Sequence, residues 1–358
     1  GGNAVDAAAA VGFTLAVTSS SNGNLGGGGF MVSRMANGKT FTLDYREMAP
    51  KSAYKDLFLD SSKNVIEGKS TRTHYASGIP GSVDGLLRAW KDHGSGNISI
   101  QQLLNPAISY AKNGFKLSRY EAERFNNRKS FLSKHPETKR IFTRDDRKWR
   151  RGDTFYQKDL AETLERIIKN GRDGFYKGKT ADLIVSEMSS VADWMTLEDL
   201  ENYTSKYRKP ILGDFNGFEI ISMGPPSSGG ILLIMMLNMF SSFNEKNEVD
   251  VFNLKFNSSK YVHLLTEIER RAYADRATHL GDEDYWKVPT DLLLSKLYAN
   301  DRTQSISENK STLSSEVKAG ESPFSESEET THYSVIDKFG NAVSVTTTIN
   351  SGYGSGIT

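Results

Sequence analysis

Two alternating runs near the end of this chain leave that region little choice of fold: Glu329-Thr330-Thr331-His332-Tyr333-Ser334-Val335, and Asn341-Ala342-Val343-Ser344-Val345-Thr346-Thr347-Thr348-Ile349-Asn350. Tyr333, Val335, Val343 and Val345 alternate with small polar residues, which is the period of a strand with one buried face. Between the runs, Asp337-Lys338-Phe339-Gly340-Asn341 supplies residues that tolerate unusual backbone angles, so the segment predicts a hairpin. Folding about that turn sets the start of the first strand against the end of the second. Thr330 is therefore expected near Thr347 and Thr348. A threonine hydroxyl is a weak nucleophile, but once the peptide bond before it is cut its own α-amino group can act as its base.

The segment in front of that hairpin sharpens the idea. From about residue 300 to Glu329 the chain is rich in Ser, Glu, Lys and Asn and poor in apolar residues, so it is expected to be a flexible tether that buries little. A tether ending at Thr330 suits a junction that is cut and then releases a new amino terminus. Pattern alone leaves a second reading open, a surface loop running into an ordinary Thr-rich strand.

Periodicity elsewhere predicts mixed α and β structure without a repeat. Ala4 to Val17 reads as an Ala-rich helix apolar on most faces, hence buried between layers. Phe30 to Asp44 alternates around Asn37-Gly38, a hairpin signal. Gln101 to Lys112, Gln157 to Ile168 and Ser258 to Arg276 read as amphipathic helices, and Phe218 to Met223 as a short strand. The apolar run Ile231 to Phe240 is too short to span a bilayer and reads as a buried helix.

Several prominent features receive plain readings. Gly26 to Gly29 lacks the Lys-Ser/Thr of a phosphate loop and is expected to serve tight backbone packing. Lys139, Arg140, Arg144, Arg147, Lys148, Arg150 and Arg151 are interleaved with Glu137, Asp145, Asp146 and Asp153, which predicts a self-neutralising surface despite Phe142 and Trp149. The histidines His74, His93, His135, His263, His279 and His332 show no ligand spacing, so no metal is expected. Gly281-Asp282-Glu283-Asp284 lacks the spacing of a calcium loop and reads as a turn ending a helix. With a formal charge of +1 and no cysteine, the chain gives no electrostatic reason to bind nucleic acid and has no thiol chemistry. The opening Gly1-Gly2 reads as a fragment boundary, with any targeting residues lying upstream.

The motifs Thr330-Thr331-His332-Tyr333-Ser334-Val335, Gly340-Asn341-Ala342-Val343-Ser344 and Thr348-Ile349-Asn350 resemble the start of the small subunit of γ-glutamyltranspeptidases. Upstream, Gly1-Gly2-Asn3-Ala4-Val5-Asp6-Ala7-Ala8, Gly23-Asn24-Leu25-Gly26-Gly27-Gly28-Gly29-Phe30, Asp44-Tyr45-Arg46-Glu47-Met48-Ala49-Pro50, Pro225-Pro226-Ser227-Ser228-Gly229-Gly230 and Ala272-Tyr273-Ala274-Asp275-Arg276 are similar to family segments in the family's order. The resemblance implies an α+β fold, the four-layer αββα sandwich of N-terminal-nucleophile hydrolases. It also implies one large-subunit domain over residues 1–329, and residues 330–358 as the truncated start of the small subunit.

By the same resemblance, the precursor cuts itself between Glu329 and Thr330. Thr330 then serves as catalytic nucleophile, Thr348 orients it, Arg46 pairs with the substrate α-carboxylate, and Asn350 helps hold the γ-glutamyl group. A guanidinium presents a planar fork to a carboxylate, although a structural pair with Asp44 or Glu47 explains Arg46 equally well from its neighbours alone. The implied reaction is γ-glutamyl transfer or hydrolysis, from glutathione and related amides to an amino acid, a peptide or water. No cofactor is needed, and the implied location is periplasmic or secreted. Oxyanion donors and groups for the α-amino end are expected beyond Thr358. Two other readings stand beside this one: a hydrolase of poly-γ-glutamate or glutaryl amides, and an unprocessed, inactive homologue acting as a binding protein.

Overall fold

A computed structural model describes residues 1–191, 193–247, 250–318 and 330–358. Within it the Ala4–Thr18 helix starts where its sequence says it should. Asn3 accepts from Val5 N and Asp6 N, and Asp6 accepts in return from Asn3 N at 2.8 Å, a reciprocal cap that satisfies otherwise orphaned donors. Ala4, Val5, Ala8, Ala9, Phe13, Ala16 and Val17 are all buried, so the helix has little face left for solvent. It packs against both strands of the C-terminal hairpin and against the Ser82–His93 and Ile100–Asn113 helices.

The described residues of Gly1–Lys39, Leu43–Tyr207 and Ser327–Thr358 form one compact unit. Within it the Leu43–Asp44 end of the Thr40–Asp44 strand, then Gly28–Arg34, Ala342–Thr348 and Thr331–Ile336, run side by side in that order. The expected hairpin is present, with Thr331 opposite Thr347, Tyr333 opposite Val345 and Ile336 opposite Ala342. On the inner face Val343 and Val345 are buried, and Tyr333 donates to Ala8 O at 2.9 Å. Full burial of side chains of this size stabilises by about 1.5–3 kcal/mol each, which fixes the register, since a one-residue slip would turn them outward. The described residues mix helices and sheets, as the expected α+β class requires.

Asp337 closes the hairpin turn. Its carboxylate accepts from Asn341 Nδ2 at 2.6 Å, from Phe339 N and Asn341 N, and from Ala4 N at 3.0 Å, tying the turn to the first helix. Gly340 has a φ of +86°, a left-handed angle that a side chain would resist. The Asn341 side chain, with the backbone donors behind it, holds the Asp337 carboxyl below its ordinary pKa. A depressed folded pKa contributes stability above the unfolded value, and that contribution is lost as pH falls through the folded one. Asp337→Asn is therefore expected to lower the melting temperature at pH 7, and the gap to wild type should close below about pH 4. A gap that persists unchanged at pH 3 would assign the effect to shape rather than charge.

A second compact unit comprises the described residues of Thr40–Thr42 and Arg208–Glu326. The Ile211–Phe215 and Phe218–Ser222 hairpin accompanies the Gly229–Asn247 and Ser259–His279 helices around a core that includes Ile231, Ile234, Met235, Met239, Leu264 and Ile268. The run from Ile231 to Phe240 is thus a helix in a protein core. No helix among the described residues is long and apolar enough to cross a membrane.

Part of the segment expected to be a flexible tether is anchored in this unit. Residues 300–303 finish the Lys296–Thr303 helix, and Thr312 Oγ1 donates to the buried Glu267 carboxylate at 2.6 Å. Glu267 in turn pairs at 2.8 Å with Arg271, whose guanidinium is also bonded to Ser305 Oγ. The anchor is polar, so a lack of apolar residues did not reveal it. Residues 319–329 lie outside the described part.

Candidate active site

The outer face of the hairpin carries a row of hydroxyls. Strand alternation turns Ser344, Thr346 and Thr348 away from the buried Val343, Val345 and Thr347. On the neighbouring strand His332 and Ser334 share that outer face. His332 stands opposite Thr346, and its Nδ1 is 2.8 Å from Thr346 Oγ1, while Nε2 lies 3.1 Å from Ser344 Oγ and 3.3 Å from Ser334 Oγ. Thr330, just before the strand, is exposed. Continuing the register one step sets it against Thr348, on the face that His332 and Thr346 already share. Glu329 lies outside the described residues, so the geometry begins at Thr330.

Thr348 is held by the turn after it. Its Oγ1 accepts from Asn350 N at 2.9 Å, and Asn350 adopts a left-handed φ of +71°, which Asn tolerates better than most residues. Accepting that N–H commits an oxygen lone pair and so limits where the hydroxyl proton points. Two of the expected site residues, Thr348 and Asn350, thus form one local turn.

Arg46 reaches the same face through the glycine run. Gly28 pairs with Thr348, and a Cβ on Gly28 would lie 2.6 Å from Glu47 N and 2.7 Å from Arg46 Cα, so only a bare backbone lets these chains meet. The Arg46 guanidinium stands 5.7 Å from the centroid of the Phe30 ring, and Phe30 is opposite Thr346. Gly27, Gly28 and Gly29 therefore do the packing work expected of the run, while a Cβ on Gly26 would meet nothing within 4 Å. Of the two structural pairs, the guanidinium makes the one with Glu47, whose Oε1 is 3.5 Å from Nη2, whereas Asp44 Oδ1 accepts the Arg46 backbone N–H instead. That single long contact, on a side chain 44% exposed, leaves most of the fork without a protein partner among the described residues.

Sequence reasoning passed over two residues here. His332 bridges the hydroxyl row, and alternation from Thr330 was the signal that could have found it. Glu47 reads in the sequence only as a partner for Arg46, yet its Oε2 is buried with no hydrogen-bond partner among the described residues. An unpaired buried carboxylate oxygen is costly and tends to persist where something else meets it. Beneath the sheet the chemistry is inert. Burial raises the Tyr333 pKa, and burial, then the neighbouring Tyr333, raises that of Tyr45, so both phenols stay protonated.

The alternative surfaces turn out to be structural. Phe142 and Trp149 are buried in an aromatic cluster with Phe125, Phe155 and Tyr353, not offered for base stacking. Around them Arg140 pairs with Glu137 and Asp159, and Arg147 with Asp153, as the interleaved charges predicted. Asp284 of the acidic turn pairs with Arg208 at 2.8 Å.

Comparison with known proteins gives a consistent result. A family model described as gamma-glutamyltranspeptidase matches residues 1–358. The chain is 44% identical over its whole length to the glutathione hydrolase proenzyme of Escherichia coli K12, covering 60% of that protein. It is 32% identical over 99% of its length to the acylase ACY 1 proenzyme of Pseudomonas sp. SE83, covering 62% of it. A crystal structure of the Helicobacter pylori gamma-glutamyltranspeptidase superposes with a TM-score of 0.84 at 41% identity, covering 89% of this chain and 90% of that one. The chain spans about 60% of the length of the curated relatives it matches.

Proposed function

The chain belongs to the gamma-glutamyltranspeptidase family, and from that premise we propose that the full-length protein transfers or hydrolyses γ-glutamyl groups through a Thr330 acyl-enzyme. The observation that carries this reading is the pairing of Thr331 with Thr347, which, continued one step, directs Thr330 toward Thr348 on a face also reached by Arg46.

Maturation begins when Thr330 Oγ attacks the carbonyl carbon of Glu329. The C–N bond breaks, an ester forms, and water hydrolyses it to leave Thr330 with a free α-amine. Large and small subunits of one precursor result. In the mature protein that amine takes the Oγ proton as Oγ attacks the γ-amide carbon of glutathione or a related donor. The proton passes to the departing amine, and water, an amino acid or a peptide then attacks the acyl-enzyme and restores the hydroxyl. Thr348 donates to Thr330 Oγ and orients it, Arg46 binds the donor's α-carboxylate, and Asn350 supports the glutamyl group. The collapse of charge onto oxygen needs preorganised donors worth several kcal/mol. No cofactor takes part, and export to the periplasm or medium, tested by cell fractionation, belongs to the same reading.

The 32% identity to an acylase keeps a glutaryl-amide hydrolase as the second reading. A guanidinium at Arg46 favours a donor with a free α-carboxylate next to its amine. The full-length protein should turn over γ-glutamyl-p-nitroanilide far faster than a glutaryl amide or poly-γ-glutamate, and the reverse order would replace this function with the acylase or polymer one. Arg46→Lys keeps charge but loses the fork, so kcat/KM for γ-glutamyl donors should fall by about 2 kcal/mol, roughly 30-fold, mostly in KM. Self-cleavage, which binds no external carboxylate, should stay near normal. An unchanged KM removes Arg46 from the site.

A further inference from the structure

Histidines that look scattered in sequence meet in the fold. His74 lies in the short His74–Ala76 turn, His135 just before the Pro136–Phe142 helix, and Glu187 in the Gly178–Ser189 helix. The His74 ring is buried and its Nε2 lies 3.0 Å from Glu187 Oε1. His135 meets His74 edge to face, with ring centroids 5.6 Å apart. One ligand atom from each of the three lies within 4.8 Å of the others.

A hydrogen bond between His74 and Glu187 accounts for those two alone. It does not account for His135, whose ring nitrogens have no hydrogen-bond partner among the described residues. Two imidazoles and one carboxylate on separate elements match the ligand chemistry of a zinc-class ion, with a fourth position for water. Ligands at 2.0–2.2 Å in a tetrahedron stand about 3.3 Å apart, so side-chain rotation must draw the three slightly inward.

The elements that carry these ligands also grip the segment following Asn350. Two residues before His74, Arg72 donates to Gly354 O at 3.2 Å, and three residues after it Ser77 Oγ is 3.2 Å from Ser355 Oγ. Three residues after His135, the buried Thr138 Oγ1 lies 2.8 Å from Gly356 O and from Thr358 Oγ1. We propose that His74, His135 and Glu187 form a divalent-metal site of zinc class that braces this clamp on Ser351–Thr358, and through it the turn holding Thr348. Binding displaces the proton shared by His74 and Glu187.

The test uses full-length protein stripped with chelator and titrated with Co2+ and Zn2+. Wild type should take up one Co2+ with a d–d absorption that Zn2+ bleaches, and Zn2+ should raise its melting temperature. His135→Ala leaves the buried His74–Glu187 bond intact, so it should fold yet bind at least about tenfold more weakly; His263→Ala, a surface control, should bind like wild type. Zn2+ should also slow amide exchange across residues 351–358 in wild type only. Equal binding by wild type and His135→Ala, or no saturable binding, would overturn the site. Binding without slower exchange at 351–358 would overturn the brace. Neither readout requires turnover, so failure here is distinct from failure of the γ-glutamyl reading.

Discussion

Thr330→Ala in the full-length protein is expected to run as one uncut polypeptide and to show no measurable γ-glutamyl transfer or hydrolysis. One hydroxyl is asked to do two jobs, attack on the Glu329 carbonyl and attack on the donor amide. Without it neither acyl intermediate can form. Loss of a nucleophile costs about a million-fold where its partners act as a unit, and the residual rate, about a thousand-fold or more over water, then comes from binding and oxyanion donors alone. Thr330→Ser keeps a hydroxyl at the same strand end and should cut itself slowly, with turnover reduced but present. Intact mass and a denaturing gel read the first effect, and release of p-nitroaniline the second. A Thr330→Ala protein that matures like wild type would move the nucleophile elsewhere. A wild-type protein that stays whole on prolonged incubation would favour the inactive homologue.

Thr348→Val is expected to slow maturation and turnover together while leaving the fold in place. Valine matches threonine in size and branching, so the strand opposite Gly28 should survive the change. What is lost is the oxygen that accepts Asn350 N–H at 2.9 Å and, in the proposed site, the bond to Thr330. The first loss costs stability of about 1 kcal/mol. The second raises the barrier by about 2 to 4 kcal/mol, roughly 30- to 1000-fold in rate. Melting should therefore shift little beside kcat. If rate and melting temperature both stay at wild-type values, the orienting role passes to another hydroxyl of the row, with Thr346 the next to test.

The parts of this arrangement that depend on neighbours along the chain are legible in the amino-acid sequence alone. Alternation at Tyr333, Val335, Val343 and Val345, with a turn built on Asp337 and Gly340, is local information and dictates the Thr331 to Thr347 pairing. The capped Ala-rich helix is readable for the same reason. Arg46 is readable as a motif but not as a position. Its approach to the hydroxyl face depends on Gly28 pairing with Thr348, a contact between distant parts of the chain that no local pattern encodes. The same limit hides His74, His135 and Glu187, each unremarkable among its own neighbours. Low hydrophobicity near residue 300 conceals how Thr312 and Ser305 dock on a buried Glu267 and Arg271, because polar anchoring leaves no apolar signature. His332 is legible too, since the period of two already places it on Thr330's face.

The most direct test of Thr330 as nucleophile is rapid-quench peptide mass spectrometry of full-length, self-cleaved protein mixed with γ-glutamyl-p-nitroanilide. A transient γ-glutamyl adduct is predicted on the peptide whose first residue is Thr330, and none on the peptide carrying Thr346, Thr347 and Thr348. An adduct on any other residue, or a small fragment that begins anywhere but Thr330, would contradict that role.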